Sequence, residues 1–97
     1  MKAVFISFDQ AHKDDVTKIL DKNMIRGFTL WDGTQGRGTK KGEPHYGSHA
    51  WPSLNDSILT IVEEKKVEPI MQDLKELDES SPKLGIRIFV WNIENMY

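Results

Sequence analysis

Glycine is concentrated in one stretch of this 97-residue chain. Five of the seven glycines lie between Gly33 and Gly47, and two of the four prolines, Pro44 and Pro52, lie in or beside the same stretch. Because both residue types interrupt helices and strands, the chain divides into two regular parts joined by one irregular segment, residues 33–56. A loop of this length is unusual in a small domain and indicates either a functional segment or a disordered insertion.

The two regular parts show the same order of patterns: a strand, an amphipathic helix and a second strand. The predicted elements are strand Lys2–Phe8, helix Ala11–Asn23, strand Ile25–Asp32, strand Ser57–Glu63, helix Val67–Leu77 and strand Leu84–Ile93. The strands are rich in β-branched and aromatic residues, and apolar residues recur every three or four positions in the helices. This order predicts one α+β domain over residues 1–97, with a ferredoxin-like βαββαβ antiparallel sheet and both helices on one face.

The first helix carries the clearest local signals. Val16, Ile19 and Leu20 lie on one face, and charged residues occupy the other. Asp9 is the expected N-cap, since its side chain can accept a hydrogen bond from the first free backbone N–H groups. His12, which has charged neighbours at the start of the helix, is expected at the surface.

Apolar residues occupy both faces of the predicted strands, as in Val4, Phe5 and Ile6 and again from Ile88 to Trp91. The helices can cover only one of these faces. A chain of this length also buries only about 60–65% of its unfolded surface. We therefore expect self-association, with three copies packing their open sheet faces inward.

Charge and composition exclude several classes of protein. The 13 basic and 15 acidic residues give a net charge of −2, which argues against a protein that coats nucleic acid. With no cysteine, the chain has no disulfide framework and no thiolate metal site. It has neither an apolar run long enough to enter a membrane nor a signal-peptide pattern, and we expect a cytoplasmic protein.

The long loop contains a cluster of glycine and basic residues. Glycine lets successive backbone N–H groups turn toward an anion, and nearby cations add attraction. The alternative is that these residues only keep the loop flexible and solvated. No Walker pattern is present that would favour the anion site over this alternative. The cluster consists of Gly33, Gly36, Gly38, Gly42, Arg37, Lys40 and Lys41.

A second cluster in the loop, Glu43, His45 and His49, offers metal-binding side chains. One carboxylate and two imidazoles can coordinate a divalent ion such as Zn²⁺, Cu²⁺ or Ni²⁺. The prolines and glycine around them favour a loop over a helix, so the spacing does not fix both rings on one side. The alternative is a pair of exposed loop histidines.

Three stretches of the chain resemble the PII-like (nitrogen regulatory protein P-II) signalling family. They are DDVTKILDKNMIRGFTLWD, QGRGTKKG and IRIFVWNIEN, at residues 14–32, 35–42 and 86–95. The resemblance implies a homotrimer of ferredoxin-like subunits that binds a small effector in the clefts between subunits. It also implies a T-loop between strands two and three that contacts a partner, often a membrane transporter.

The resemblance also implies roles for individual residues. Thr29 would lie near an adenine, and Arg87 would stand where the family has a phosphate-contacting lysine. The residues implied at and after the T-loop base are Gly36, Arg37, Lys41 and Gly42.

Two phosphate-binding features of the family have no counterpart in this chain. The family's glycine-rich turn is replaced by SSPKLGIR, whose single glycine is Gly85, and no basic segment precedes the final Tyr97. We therefore expect fewer phosphate ligands and leave the effector open, as an adenine nucleotide, another anion or a divalent metal.

Catalytic patterns are not found. The chain has no G-x-S-x-G and no H-E-x-x-H motif, and DQAHKDD after the first strand lacks the glycine and arginine of ferredoxin-like acylphosphatases. We expect a trimeric regulator of a transporter or efflux pump rather than an enzyme. The alternatives are a metal-binding accessory protein linked to heavy-metal efflux, which would use the loop histidines, and a structural trimer that binds nothing small.

Overall fold

The computed structural model describes residues 1–36, 47, 54–81 and 85–97. Short 3₁₀ turns at Gln10–His12 and Glu64–Lys66 lead into two helices. The elements follow in the predicted order β-α-β-β-α-β. They are β1 (Lys2–Asp9), α1 (Lys13–Lys22), β2 (Thr29–Thr34), β3 (Asn55–Val62), α2 (Val67–Ser80) and β4 (Ile86–Asn92).

The four strands form one antiparallel sheet in the order β2-β3-β1-β4. In β1, Phe5 lies opposite Leu59 of β3 on one side and opposite Phe89 of β4 on the other. The two central strands, β1 and β3, carry most of the buried strand residues. This is the strand order of the ferredoxin-like fold, so the predicted fold class is confirmed.

Both helices cover the same face of the sheet. Alternate residues of the strands point to this face, and residues four apart in each helix pack against them. The buried cluster contains Val4, Ile6, Phe8, Val16, Leu20, Ile25, Ile58, Val62, Ile70, Leu74 and Ile86. Within the described ranges, no helix is long and apolar enough to cross a lipid bilayer.

Asp9 caps the start of the first helical segment. Its Oδ1 accepts a hydrogen bond from the backbone N–H of Ala11 at 2.8 Å. The predicted N-cap is therefore confirmed, although it caps the 3₁₀ turn rather than α1 itself.

Several predicted boundaries are wrong by a few residues. β2 begins at Thr29 instead of Ile25, because the backbone N–H of Ile25 donates to the Leu20 carbonyl at 2.9 Å and closes the end of α1. The loop is shorter than residues 33–56, since β2 continues to Thr34 and β3 begins at Asn55. α2 does not stop at the predicted end but continues to Ser80.

His12 is buried, with 4% exposure, so its predicted surface position is wrong. His12 stands four residues before Val16 and eight before Leu20, both of which are buried. It therefore lies on the same buried face of the helical segment. Its Nδ1 lies 3.9 Å from the Asp15 carboxylate, and its Nε2 has no hydrogen-bond partner among the described residues.

Candidate functional site

The sheet face opposite the helices has an apolar part and a polar end. Ala3 and Phe5 of β1 lie beside Leu59, Ile61, Phe89 and Trp91 of the neighbouring strands, which makes the apolar part. Phe89 is 56% exposed and Trp91 48% exposed. The next row toward the long loop changes character, because Ser7 lies opposite Ser57 and Arg87.

A shallow depression of about 420 Å³ lies at the border between the two parts. Its floor comes from the central strands, and the last residues of β2 form one side. Arg87 is the only ionisable side chain among the described residues that line it. Those residues are Phe5, Ser7, Thr34, Gln35, Gly36, Asn55, Ser57, Arg87 and Phe89.

The polar side of the depression is held by contacts between β2 and β3. The hydroxyl groups of Thr34 and Ser57 are 3.2 Å apart and share a hydrogen bond. A Cβ at Gly36 would lie 3.3 Å from Asn55 Nδ2, so glycine lets the backbone pass close to this amide. These contacts place hydroxyl and amide groups together where the chain leaves the sheet.

Arg87 supplies the positive charge. Its Nη1 donates to the Ile86 carbonyl at 3.1 Å, while the residue as a whole is exposed on the open face. A guanidinium group with neighbouring hydroxyl and amide donors suits an oxyanion, because charge-assisted hydrogen bonds to phosphate or carboxylate are strong. The rings of Phe5 and Phe89 beside it offer a flat apolar surface that suits a planar group.

The structure brings together two of the predicted binding residues, Gly36 and Arg87, which line the same depression. Thr29 lies on the same face, paired with Leu59, but does not line the depression. The other three predicted binding residues, Arg37, Lys41 and Gly42, lie outside the described residues.

The predicted metal ligands, Glu43, His45 and His49, also lie outside the described residues, and the metal site stays a prediction. In the described part of the chain, no group of three or more His, Cys, Asp or Glu side chains is placed to hold a metal ion.

Four further residues line the depression that were not predicted as site residues: Ser7, Thr34, Asn55 and Ser57. A signal for two of them was present in the strand pattern. Ser7 stands two residues after Phe5, and Ser57 two before Leu59, so both share the apolar face with those residues. Each therefore marks where that face becomes polar.

Comparison with known proteins shows one family. The family model for "Nitrogen regulatory protein P-II" matches residues 1–97. No curated protein matches the chain.

Solved structures show the same fold. CPII, a nitrogen regulatory PII-like protein from Thiomonas intermedia K12 bound to ADP, AMP and bicarbonate, is 23% identical, with a TM-score of 0.77 over 95% of this chain and 84% of its own. CPII bound to ADP and bicarbonate is 25% identical, with a TM-score of 0.76 over the same shares. A PII-like signaling protein from Thermus thermophilus is 24% identical, with a TM-score of 0.69 over 95% of this chain and 85% of its own.

Proposed function

Since the chain belongs to the nitrogen regulatory protein P-II family, whose members are signalling proteins, we propose that it binds a small anionic effector beside Arg87. The effector is an adenine nucleotide or a small oxyanion such as bicarbonate. The site binds its effector without transforming it, and the bound state is passed to a partner through the segment between β2 and β3.

The observation that carries this proposal is the position of Arg87 in the depression. It is the one ionisable side chain among the described lining residues, and hydroxyl groups, an amide and the backbone at Gly36 surround the same space. Arg37 follows Gly36 directly in the sequence. Solved structures of CPII with ADP and bicarbonate, at 25% identity, support the same class of ligand.

Calorimetric titration of ADP, AMP and bicarbonate into the wild-type protein and into Arg87→Ala tests the site. We expect Arg87→Ala to weaken binding of the ligand by about tenfold or more, as loss of a charge-assisted hydrogen bond does. Arg26→Ala is the matched control, since Arg26 is an exposed arginine in the connection between α1 and β2. Equal affinity in wild type and Arg87→Ala would rule out this site.

We also propose that the protein is a homotrimer whose subunits cover one another's open sheet faces. The apolar part of that face, with Phe5, Leu59 and Trp91 among its residues, supports burial against further copies of the chain. In such a trimer the depression would lie at a subunit border, where Thr29 of one subunit can approach the effector held by the next.

The partner in this proposal is a membrane transporter or efflux pump contacted from the cytoplasm. The depression adjoins the segment 35–54 at both ends, through Gln35 and Asn55, which supports coupling between the effector and that segment. Capture on immobilised protein from detergent-solubilised membranes, with and without ADP, tests this step. We expect the amount of transporter retained to change when ADP is added. An amount that is the same with and without ADP would contradict the coupling.

A further inference from the structure

β2 contains one residue more than β3 where the strand approaches the depression. Trp31 lies opposite Ser57 and Thr34 lies opposite Asn55, so both Asp32 and Gly33 stand against the single residue Asp56. An extra residue of this kind is a β-bulge, which bends its strand and turns the following side chains in a new direction. The residues that follow this bulge, Thr34 to Gly36, all line the depression.

Asp56 holds this bulge by a direct hydrogen bond. Its Oδ1 accepts from the backbone N–H of Gly33 at 2.9 Å. Gly33 has φ +70°, a left-handed conformation that glycine adopts without strain. The carboxylate therefore fixes the backbone at the point where the strand changes direction.

Asp56 is buried without a full set of hydrogen bonds in the described part of the chain. The residue is completely buried on the helix side of the sheet, and its Oδ2 has no hydrogen-bond partner among the described residues. A buried acid with a single described hydrogen bond costs free energy that an apolar residue of similar size would not. The one described hydrogen bond of Asp56, from the Gly33 N–H, gives the carboxylate a local role in holding the backbone of the bulge.

We propose that Asp56 is a positioning residue for the anion site. Its hydrogen bond holds the backbone of Gly33 in place, so that Thr34 and Gly36 line the depression on the opposite face of the sheet. There they lie within reach of the ligand that Arg87 holds. This inference rests on the function proposed above.

Affinity for ADP and bicarbonate, measured by calorimetry in three variants, tests the role of Asp56. Asp56→Asn keeps an oxygen for the Gly33 N–H and should bind within about threefold of wild type, whereas Asp56→Ala should bind about tenfold more weakly. Thr60→Val is the matched control. It removes another buried hydrogen bond from the same face of β3, the one to the Gly27 carbonyl at 2.6 Å, and should leave affinity unchanged.

Thermal unfolding of the same variants separates positioning from general destabilisation. Asp56→Ala and Thr60→Val should both lower the melting temperature, but only Asp56→Ala should lose affinity for the ligand. If Asp56→Ala does not fold, Gly33→Ala replaces it, because an alanine at φ +70° is strained while its Cβ would meet only Leu54 at 3.7 Å. Gly33→Ala should lose affinity by a similar factor.

The outcomes distinguish this inference from the function on which it rests. Wild-type protein that binds neither ligand overturns the proposed function and this inference with it. Wild-type protein that binds, with an unchanged affinity in a folded Asp56→Ala or Gly33→Ala variant, overturns the positioning role alone. Equal loss of affinity in Thr60→Val also overturns it, since the effect would then follow from destabilisation.

Discussion

The side-chain amide of Asn23 donates a hydrogen bond to the Asp73 carboxylate at 3.0 Å, which joins the end of α1 to the middle of α2. Lys22 Nζ lies 3.3 Å from the same carboxylate. The Asn23 hydrogen bond, opposed by burial and aided by Lys22, lowers the pKa of Asp73 from its ordinary value of 3.8. The ionised form is therefore favoured in the folded protein.

Asp73→Ala should consequently destabilise the protein in a pH-dependent way. A lowered folded pKa gives a contribution that is complete above the unfolded pKa and is lost as the pH falls through the folded pKa. We expect a loss of about 1 kcal/mol at neutral pH that shrinks below pH 3.8. Urea unfolding of both proteins at neutral and strongly acidic pH measures the difference. A loss that is the same at both pH values would contradict this assignment.

Met24→Gly should stabilise the protein. Met24 has φ +57° at the end of α1 and is 77% exposed, so its side chain contributes little packing while its backbone is strained. Glycine removes a strain of about 1–2 kcal/mol and adds unfolded-chain entropy that costs about 0.4–1 kcal/mol, so the free energy of unfolding should rise by about 0.5–1 kcal/mol. Lys18→Gly in the exposed middle of α1 is the control and should lower it by about 1 kcal/mol. Chemical denaturation measures both, and a destabilised Met24→Gly would show that the strain at Met24 is smaller than the entropy cost of glycine.

The alternation of strands and helices was predictable because the strands are runs of β-branched and aromatic residues, while apolar residues recur every three or four positions in the helices. β1 and α1 were both predicted from their apolar residues, and each contributes to the core, with Val4 and Ile6 from β1 and Leu20 from α1. The family resemblance placed Gly36 and Arg87 at one site, and the structure brings both into one depression. Periodicity alone could not have paired them, since residues so far apart meet only through the strand order.

Other features depend on contacts that a single segment does not contain. β2 begins at Thr29 and not at Ile25, because the backbone N–H of Ile25 donates to the Leu20 carbonyl of α1. This hydrogen bond joins the turn to the helix before it. Gly33 was predicted in a loop, yet the buried Asp56 of β3 keeps it in the sheet as part of a bulge. Such partners lie in another strand, and no local pattern around Gly33 reveals them.

His12→Leu should not destabilise the protein, although the ring is buried. The buried Nε2 has no described hydrogen-bond partner, and the Asp15 carboxylate at 3.9 Å is too distant for a hydrogen bond. Leucine has a similar volume and no polar atom to desolvate, so we expect the free energy of unfolding to rise by about 1 kcal/mol. His12→Ala leaves a cavity instead and should lower it by about 2 kcal/mol. Urea unfolding of the three proteins measures these differences, and a His12→Leu variant less stable than wild type would contradict a net cost of burying the imidazole.

Trp91→Asp should separate the proposed trimer into monomers. Trp91 is 48% exposed and lies opposite Ala3 in the apolar part of the open face, so a carboxylate there would be buried in the trimer without a partner. Light scattering should give one third of the wild-type mass. Asn92→Asp is the matched control, because it adds the same charge to the same strand on the alternate face, where residue 92 already pairs with Lys2. It should keep the wild-type mass. A monomeric wild-type protein, or a Trp91→Asp variant that retains the wild-type mass, would contradict assembly through this face.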